Sequence, residues 1–150
     1  MCSKLCLSCT GGYLATDLSL RPGRRSLLPI SMAHAPHQLG QAGEAAAADF
    51  FRGRGYAVFA HGYRHGRAEV DLILRYGNDL LVFVEVKTRS SSQYGTPETF
   101  VSERKKELFR IAATHLQHEL DWRGDIRFDI VALTQLSQGF RVEHFEDAFY

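Results

Sequence analysis

The amino-acid sequence predicts an α/β domain with the element order αβββαβ and a small additional strand. Three observations support this prediction. They are an alanine-rich helical segment near residue 40, two strand-like segments joined by a tight turn, and a second helical segment followed by another strand. Both faces of the two central strands are largely apolar, which indicates a sheet covered by helices on both sides.

Apolar residues at helical spacing mark two helices. The first is predicted over Leu39–Arg52, where Gly53 and Gly55 end it. Ser102 followed by Glu103 is typical of a helix start and begins the second. The apolar stripe predicted for this second helix comprises Leu108, Ile111, Ala112, His115 and Leu116.

Short segments rich in β-branched and aromatic residues mark the strands. The predicted strands are Tyr56–Ala60, Ala68–Tyr76, Leu80–Thr88, Ile126–Thr134 and Phe140–Phe145. Gly77-Asn78-Asp79 is a strong turn signal between the second and third, so these two strands should form a hairpin. The Ser/Gly/Pro-rich segment Ser90–Pro97 is predicted to be a loop.

Residues 1–36 lack both the helical and the strand period, and we expect them to be a mobile tail in front of a domain that spans residues 37–150. A start of translation at Met32 is an open alternative. Cys2, Cys6 and Cys9 have a spacing that some iron–sulfur enzymes use. Because no barrel sequence follows to hold a cofactor, we interpret them as incidental thiols.

Composition narrows the class of function. The formal net charge is +1, with +3 on the first 31 residues and −2 on the rest, so bulk electrostatics would not hold DNA. This charge distribution favours catalytic contact with nucleic acid over tight, non-catalytic binding. The absence of cysteine after residue 9 indicates a reducing compartment, and no apolar run suits a membrane span or signal peptide. We therefore expect a cytoplasmic protein without a membrane partner.

Two carboxylates are predicted to meet across the hairpin. If Tyr76 pairs with Leu80 around the turn, Asp71 lies opposite Glu85, with Cβ atoms roughly 4.5–5.5 Å apart. Like charges so placed on a partly dry face destabilise a sheet unless something neutralises them. A divalent cation, Mg²⁺ or Mn²⁺, would do so, and Lys87 adds a donor on the face of Glu85.

The alternative is that Asp71 and Glu85 are separate surface acids and that Lys87 is an ordinary ion-pair partner. For a lone strand carboxylate we would prefer that interpretation. An Asp and a Glu-x-Lys that meet across one tight hairpin favour the metal site instead.

Asp71, thirteen further residues and then Glu85-Val86-Lys87 resemble the catalytic motif of the PD-(D/E)XK nuclease superfamily. Gly43-Glu44 is similar to the helix-borne Glu of archaeal Holliday-junction resolvases in that superfamily. Residues 39–149 resemble the YraN-type bacterial family most closely. The matching segments are Leu39-Gly40, Gly43-Glu44, Glu69–Ile73, Val82–Arg89, Lys105, Arg127–Val131 and Asp147–Phe149. The chain departs from these patterns at Gly62, Ala68 and Val70, where Asn, Gly and the superfamily's Pro are usual.

The resemblance implies a restriction-endonuclease-like fold with a mixed sheet, and hydrolysis of phosphodiester bonds in DNA, with branched or structured DNA as one candidate substrate. Asp71 and Glu85 would hold the cation. Lys87 would orient the attacking water and stabilise charge that develops in the transition state. Glu44 would approach from the first helix as an additional acid. A homodimer is left open.

Three cations are candidates for contact with nucleic acid. Arg64 and Arg89 flank the predicted site, and Lys105 lies in the first turn of the second helix. The rival function from a different class is a non-catalytic DNA-binding or partner-binding module that keeps the fold. An RNA-directed nuclease is a more distant alternative.

Overall fold

The computed structural model of the chain describes residues 36–90 and 101–149. The predicted tail with its three cysteines and Met32 lies outside the described residues, except for Pro36, and so does the predicted loop from residue 91 onward. Within the described part the element order is α1 (Pro36–Arg52), β1 (Ala57–His65), β2 (Ala68–Tyr76), β3 (Leu80–Arg89), α2 (Glu103–Leu120), β4 (Asp125–Gln135) and β5 (Phe140–Phe145).

The five strands form one mixed sheet in the order β1-β2-β3-β4-β5. Neighbouring strands are antiparallel except β3 and β4, which run parallel because α2 carries the chain across between them. This is the α/β architecture that the sequence predicted, with a restriction-endonuclease-like αβββαβ core. Neither helix of the described part is long and apolar enough to cross a membrane.

The central hairpin has the predicted register. Tyr76 pairs with Leu80, and the pairing continues in step to Leu72 and Val84. Gly77 opens the turn with a φ of +61°, a backbone conformation that glycine adopts without steric cost. The turn residues therefore set which side chains of β2 and β3 come together.

Two apolar clusters cover the two faces of the sheet. On the α2 face the buried side chains include Ile73, Leu81, Phe83, Phe109 and Phe128. On the α1 face they include Phe51, Leu72, Leu74, Val82 and Val84. Because β3 contributes alternate residues to both clusters, it lies in the middle of the core, and its polar residues stand at the end of a rigid strand.

Three predicted features differ in detail. β1 extends to His65, beyond the predicted end at Ala60, because pairing with β2 holds a polar segment in extended form. The helix α1 begins at Pro36 rather than Leu39, and proline suits a first helical position because it has no amide hydrogen to leave unpaired. In α2 the predicted stripe is wrong at Ile111, which is 43% exposed.

The buried face of α2 consists of Phe109, Ala112, Ala113 and Leu116. Phe109 packs against Phe128 and Phe149, with ring centroids 6.4 and 5.5 Å away. These aromatic partners come from distant parts of the chain. They turn the helix so that Phe109, which the predicted stripe omitted, faces the sheet.

Candidate metal centre

Asp71 lies where β2 and β3 stop pairing. The last paired residues are Leu72 and Val84, one step before Asp71 and Glu85 would meet. The Asp71 carboxylate instead accepts a hydrogen bond from the Val86 amide, 2.7 Å from Oδ2. This bond holds the Asp71 carboxylate against the backbone next to Glu85.

The alternation of side chains along β2 is interrupted at the same place. Val70 packs in the α2-side cluster together with Ile73, whereas Leu72 packs on the α1 side. Strict alternation would place Val70 with Leu72. The position of Asp71 is therefore fixed by its bond to β3 rather than by the strand period alone.

Glu85 is the most buried acid of the site, with 3% of its surface exposed. Its Oε1 accepts a hydrogen bond from Lys87 Nζ at 2.5 Å. Lys105 Nζ lies 2.9 Å from Oε2 and forms an ion pair with it, without a hydrogen bond. Within the described residues Oε2 is left without a hydrogen-bond partner. One carboxylate oxygen thus retains unused lone pairs.

The electrostatics of Asp71 reflect this crowding of acids. Burial and the negative charge of Glu85 raise its pKa to about 6, and Glu44 contributes in the same direction. The Val86 amide and the charge of Lys105 oppose the shift without cancelling it. Asp71 therefore lacks sufficient cationic compensation, although Glu85 has two lysines beside it.

Glu44 reaches the site from α1, which packs closely on β3. A Cβ atom at Gly43 would overlap the Thr88 side chain, so only glycine permits this approach of helix to strand. Glu44 is half-buried, and its charge is felt at Asp71. The four predicted residues therefore lie near one end of the hairpin and come from three elements. Glu44 comes from α1, Asp71 from β2, and Glu85 and Lys87 from β3.

The residues fit a hard divalent cation in part. Two carboxylates, one of which has an oxygen without a hydrogen bond, suit Mg²⁺, which commonly takes one or two carboxylates and completes its shell with water and phosphate oxygens. In the ranges 36–90 and 101–149, no group of three or more His, Cys, Asp or Glu is arranged to enclose a metal. A cation held by Asp71 and Glu85 would therefore need substrate or water for its remaining ligands.

Comparison with known proteins identifies the family. Residues 43–133 match the model of the uncharacterised protein family UPF0102. The chain belongs to UPF0102. This is the YraN-type family to which the sequence motifs pointed, and the matched region contains the three acids and one lysine of the predicted site, Glu44, Asp71, Glu85 and Lys87.

Relatives within UPF0102 align over most of their length. The chain is 38% identical over 126 residues to a UPF0102 protein of Chlorobium limicola, covering 79% of this chain and 97% of the relative. For the UPF0102 proteins of Christiangramia forsetii and Flavobacterium psychrophilum, identity is 36% and 40% over 114 residues, covering 76% of this chain and 95% of each relative. The described domain is thus essentially the UPF0102 unit.

The three cations predicted to contact nucleic acid have different positions in this UPF0102 domain. Arg64 lies on the edge strand β1 and makes an exposed ion pair with Glu69 at 2.8 Å. Arg89 is half-buried at the end of β3, two residues beyond Lys87. Lys105 lies against Glu85, so it is part of the centre itself.

Sequence reasoning did not place Lys105 beside Glu85, although a signal was present. Cations are disfavoured in the first turn of a helix, where the macrodipole favours acids. Lys105 occupies that turn, and its own amide donates to the N-cap Ser102 Oγ at 3.2 Å. A lysine retained in an unfavourable position indicates a nearby negative partner.

A second polar cluster surrounds Asp129, which the sequence marked only as part of the matching segment Arg127–Val131. Asp129 is fully buried and accepts hydrogen bonds from Arg127, from His144 and from the Asp147 amide, at 2.8 to 3.0 Å. Arg127 also contacts the Tyr56 hydroxyl at 3.1 Å. This cluster joins β4 to β5 and to the chain that follows it, and its contacts are structural.

Replacing Asp71 with Asn should stabilise the metal-free protein at neutral pH. The raised pKa means that the folded protein binds the Asp71 proton more tightly than the unfolded chain does. The associated stability is present below about pH 4 and is lost as the pH rises through about 6. At pH 7 the Asn variant should therefore be more stable by up to about 3 kcal/mol, since each tenfold change in proton affinity is worth about 1.4 kcal/mol.

Urea unfolding with a chelator present, at pH 4 and pH 7, measures this difference. The asparagine oxygen can still accept the Val86 amide, so the two proteins should be nearly equally stable at pH 4. An Asn variant that is less stable than wild type at pH 7 would show that Asp71 is not electrostatically strained.

Proposed function

We propose that this UPF0102 domain is a metal-dependent nuclease that hydrolyses phosphodiester bonds in DNA. The observation that carries the proposal is the pairing of Asp71 and Glu85 beside Lys87, at an open, partly buried end of two strands. The charge of Lys105 compensates Asp71 only in part, and one Glu85 oxygen has no hydrogen bond within the described residues. A hard divalent cation would add positive charge beside Asp71 and would coordinate the Glu85 oxygen that has no hydrogen bond.

Mg²⁺ or Mn²⁺ bound here would polarise a phosphate oxygen and lower the pKa of an attacking water. Asp71 and Glu85 are the residues that would hold the cation. Their positions are preorganised, because the Val86 amide fixes Asp71 and Lys87 fixes Glu85. Preorganised charge is the main source of rate enhancement in such sites.

Lys87 supplies a cationic donor at the reacting phosphate. Its side chain is 33% exposed, and its hydrogen bond to buried Glu85 uses one of its three N–H groups, which leaves two to donate to water or phosphate. It can hold the attacking water in place and stabilise negative charge that accumulates on the phosphate oxygens. Glu44, half-buried on α1, would orient a further water by accepting its hydrogen bond.

The competing proposal is a non-catalytic DNA- or partner-binding module. The observation in its favour is that two lysines already flank Glu85, as expected of a site that no longer binds metal. The raised pKa of Asp71 argues against it, because a site adapted to do without a cation would have no reason to keep a strained acid.

Cleavage of defined DNA substrates distinguishes the two proposals. The protein is incubated with Mg²⁺ or Mn²⁺ and with linear, nicked, flapped and four-way DNA, together with single-stranded RNA, and Glu85→Gln is the matched control. We expect metal-dependent cleavage of at least one DNA, with branched DNA preferred, and none by Glu85→Gln. DNA binding without cleavage of any substrate would support the binding module, and cleavage of RNA alone would replace DNA as the substrate.

A further inference from the structure

Lys105 occupies an unusual position beside the candidate metal centre. Its Nζ is 2.9 Å from Glu85 Oε2, the oxygen that has no hydrogen bond within the described residues. The same Nζ lies 5.2 Å from the centroid of the Phe109 ring. The ammonium group is thus located between a buried carboxylate and an aromatic face, both of which attract a cation.

This ammonium stands close to where a cation shared by both acids would lie. Glu85 contacts it directly, and Asp71 is within reach of its charge. Lys87 differs, since it is bound to the other oxygen of Glu85, through a hydrogen bond. Of the two lysines, therefore, Lys105 is the one that would compete with a divalent cation for Glu85 Oε2.

Lys105 is also able to leave. Its backbone is fixed by the N-cap of α2, but its four-carbon side chain is 28% exposed. Its contact with Glu85 is an ion pair without a hydrogen bond, so no hydrogen bond is broken when the side chain moves away. A divalent ion carries twice the charge of an ammonium group, and Mg²⁺ approaches carboxylate oxygens to about 2.0–2.1 Å, closer than the 2.9 Å of this ion pair. A released Lys105 would still be anchored next to the phosphate that the centre binds.

We infer that Lys105 is an internal counter-ion of the centre, which a divalent cation displaces from Glu85 and which then contacts a phosphate of the substrate. The inference rests on the proposed function. It assigns Lys105 two roles in sequence. In the metal-free protein it holds the two acids together, and in the loaded protein it links metal binding to nucleic-acid binding.

Calorimetric titration of Mn²⁺ into the full chain tests the first role without any cleavage. Lys105→Met removes the competing charge and should bind Mn²⁺ about tenfold more tightly than wild type, in line with the strength of a charged contact. Lys106→Met is the matched control. It removes an equal charge one residue along α2, where Lys106 pairs with Glu103 at 2.6 Å rather than with the centre. Its affinity for Mn²⁺ should stay at the wild-type value.

The second role is tested by the dependence of DNA affinity on salt, measured with Mn²⁺ in proteins that also carry Lys87→Ala. Adding Lys105→Met should remove one phosphate contact, and the negative slope of log K against log[salt] should become less steep by about 0.9. Adding Lys106→Met should leave the slope unchanged. If Lys105→Met folds poorly, Lys105→Gln gives both comparisons, since it drops the charge and keeps a polar stem.

The outcomes separate the inference from the proposed function. Equal Mn²⁺ affinity of wild type and Lys105→Met would overturn the inference while leaving the metal centre intact. If Lys105→Met binds Mn²⁺ and wild type does not, the inference is supported, but the wild-type protein cannot be an active metal-dependent nuclease. Absence of Mn²⁺ binding in every variant would overturn both.

Discussion

Replacing Lys87 with Ala is expected to slow DNA cleavage by about 100- to 1000-fold while the protein keeps much of its response to divalent cations. The loss should be of this size because one preorganised donor at a developing charge contributes about that much. Metal binding should persist because Asp71 and Glu85, which would hold the cation, remain in place. Chemistry and metal binding are thereby separated in one variant.

Single-turnover cleavage with excess enzyme measures the rate, and the rise in melting temperature with Mn²⁺ measures metal binding. Lys87→Ala also deprives Glu85 Oε1 of its hydrogen-bond partner, so urea unfolding must show that the variant is folded at the assay temperature. Lys106→Ala is the control for loss of one positive charge. A Lys87→Ala rate within a few-fold of wild type would remove Lys87 from the mechanism.

Replacing Asp129 with Ala should destabilise the domain by about 3–5 kcal/mol, a large part of the stability of a domain of this size. Burial alone would raise the pKa of Asp129, but hydrogen bonds from His144 and Arg127 outweigh that effect and lower it. Removing the carboxylate leaves the Arg127 guanidinium, with 19% of its side chain exposed, without its main partner. The remaining partner of Arg127, Glu146, is 59% exposed and compensates the charge poorly, which accounts for the size of the loss.

Glu146→Ala provides the comparison, because Glu146 also pairs with Arg127, at 3.2 Å, but is 59% exposed. Its loss should cost less than about 1 kcal/mol, as for other surface ion pairs. Urea midpoints of the two variants and wild type at pH 7 measure the difference. Similar small losses in both variants would show that the Asp129 cluster does not hold β4 and β5 together.

The hairpin could be predicted from the sequence because its information is local. Gly77-Asn78-Asp79 specifies the turn, the turn specifies the register, and the register brings Asp71 near Glu85. The step at which pairing ends could not be predicted. The end of pairing depends on a hydrogen bond from the Val86 amide to the Asp71 side chain. The alternation of side chains along a strand does not predict such a bond.

Features that depend on contacts between distant segments were missed. The orientation of α2 is set by Phe109 against Phe128 and Phe149, which lie 19 and 40 residues further along the chain. The contact of Lys105 with Glu85 likewise depends on how α2 lies across the sheet. Sequence periodicity identifies an amphipathic helix, but only the packed partner decides which residues at its margin are buried.

Mn²⁺ titration of wild type and Asp71→Asn, side by side at pH 7, tests whether Asp71 and Glu85 share a divalent cation. The Asn variant is the suitable partner because it should be folded and at least as stable as wild type without metal. We predict that wild type binds one Mn²⁺ and gains several degrees in melting temperature, and that Asp71→Asn loses most of this affinity because an amide is a poor ligand for a hard cation. Equal Mn²⁺ affinity in the two proteins, or no binding by wild type, would contradict the proposed metal centre.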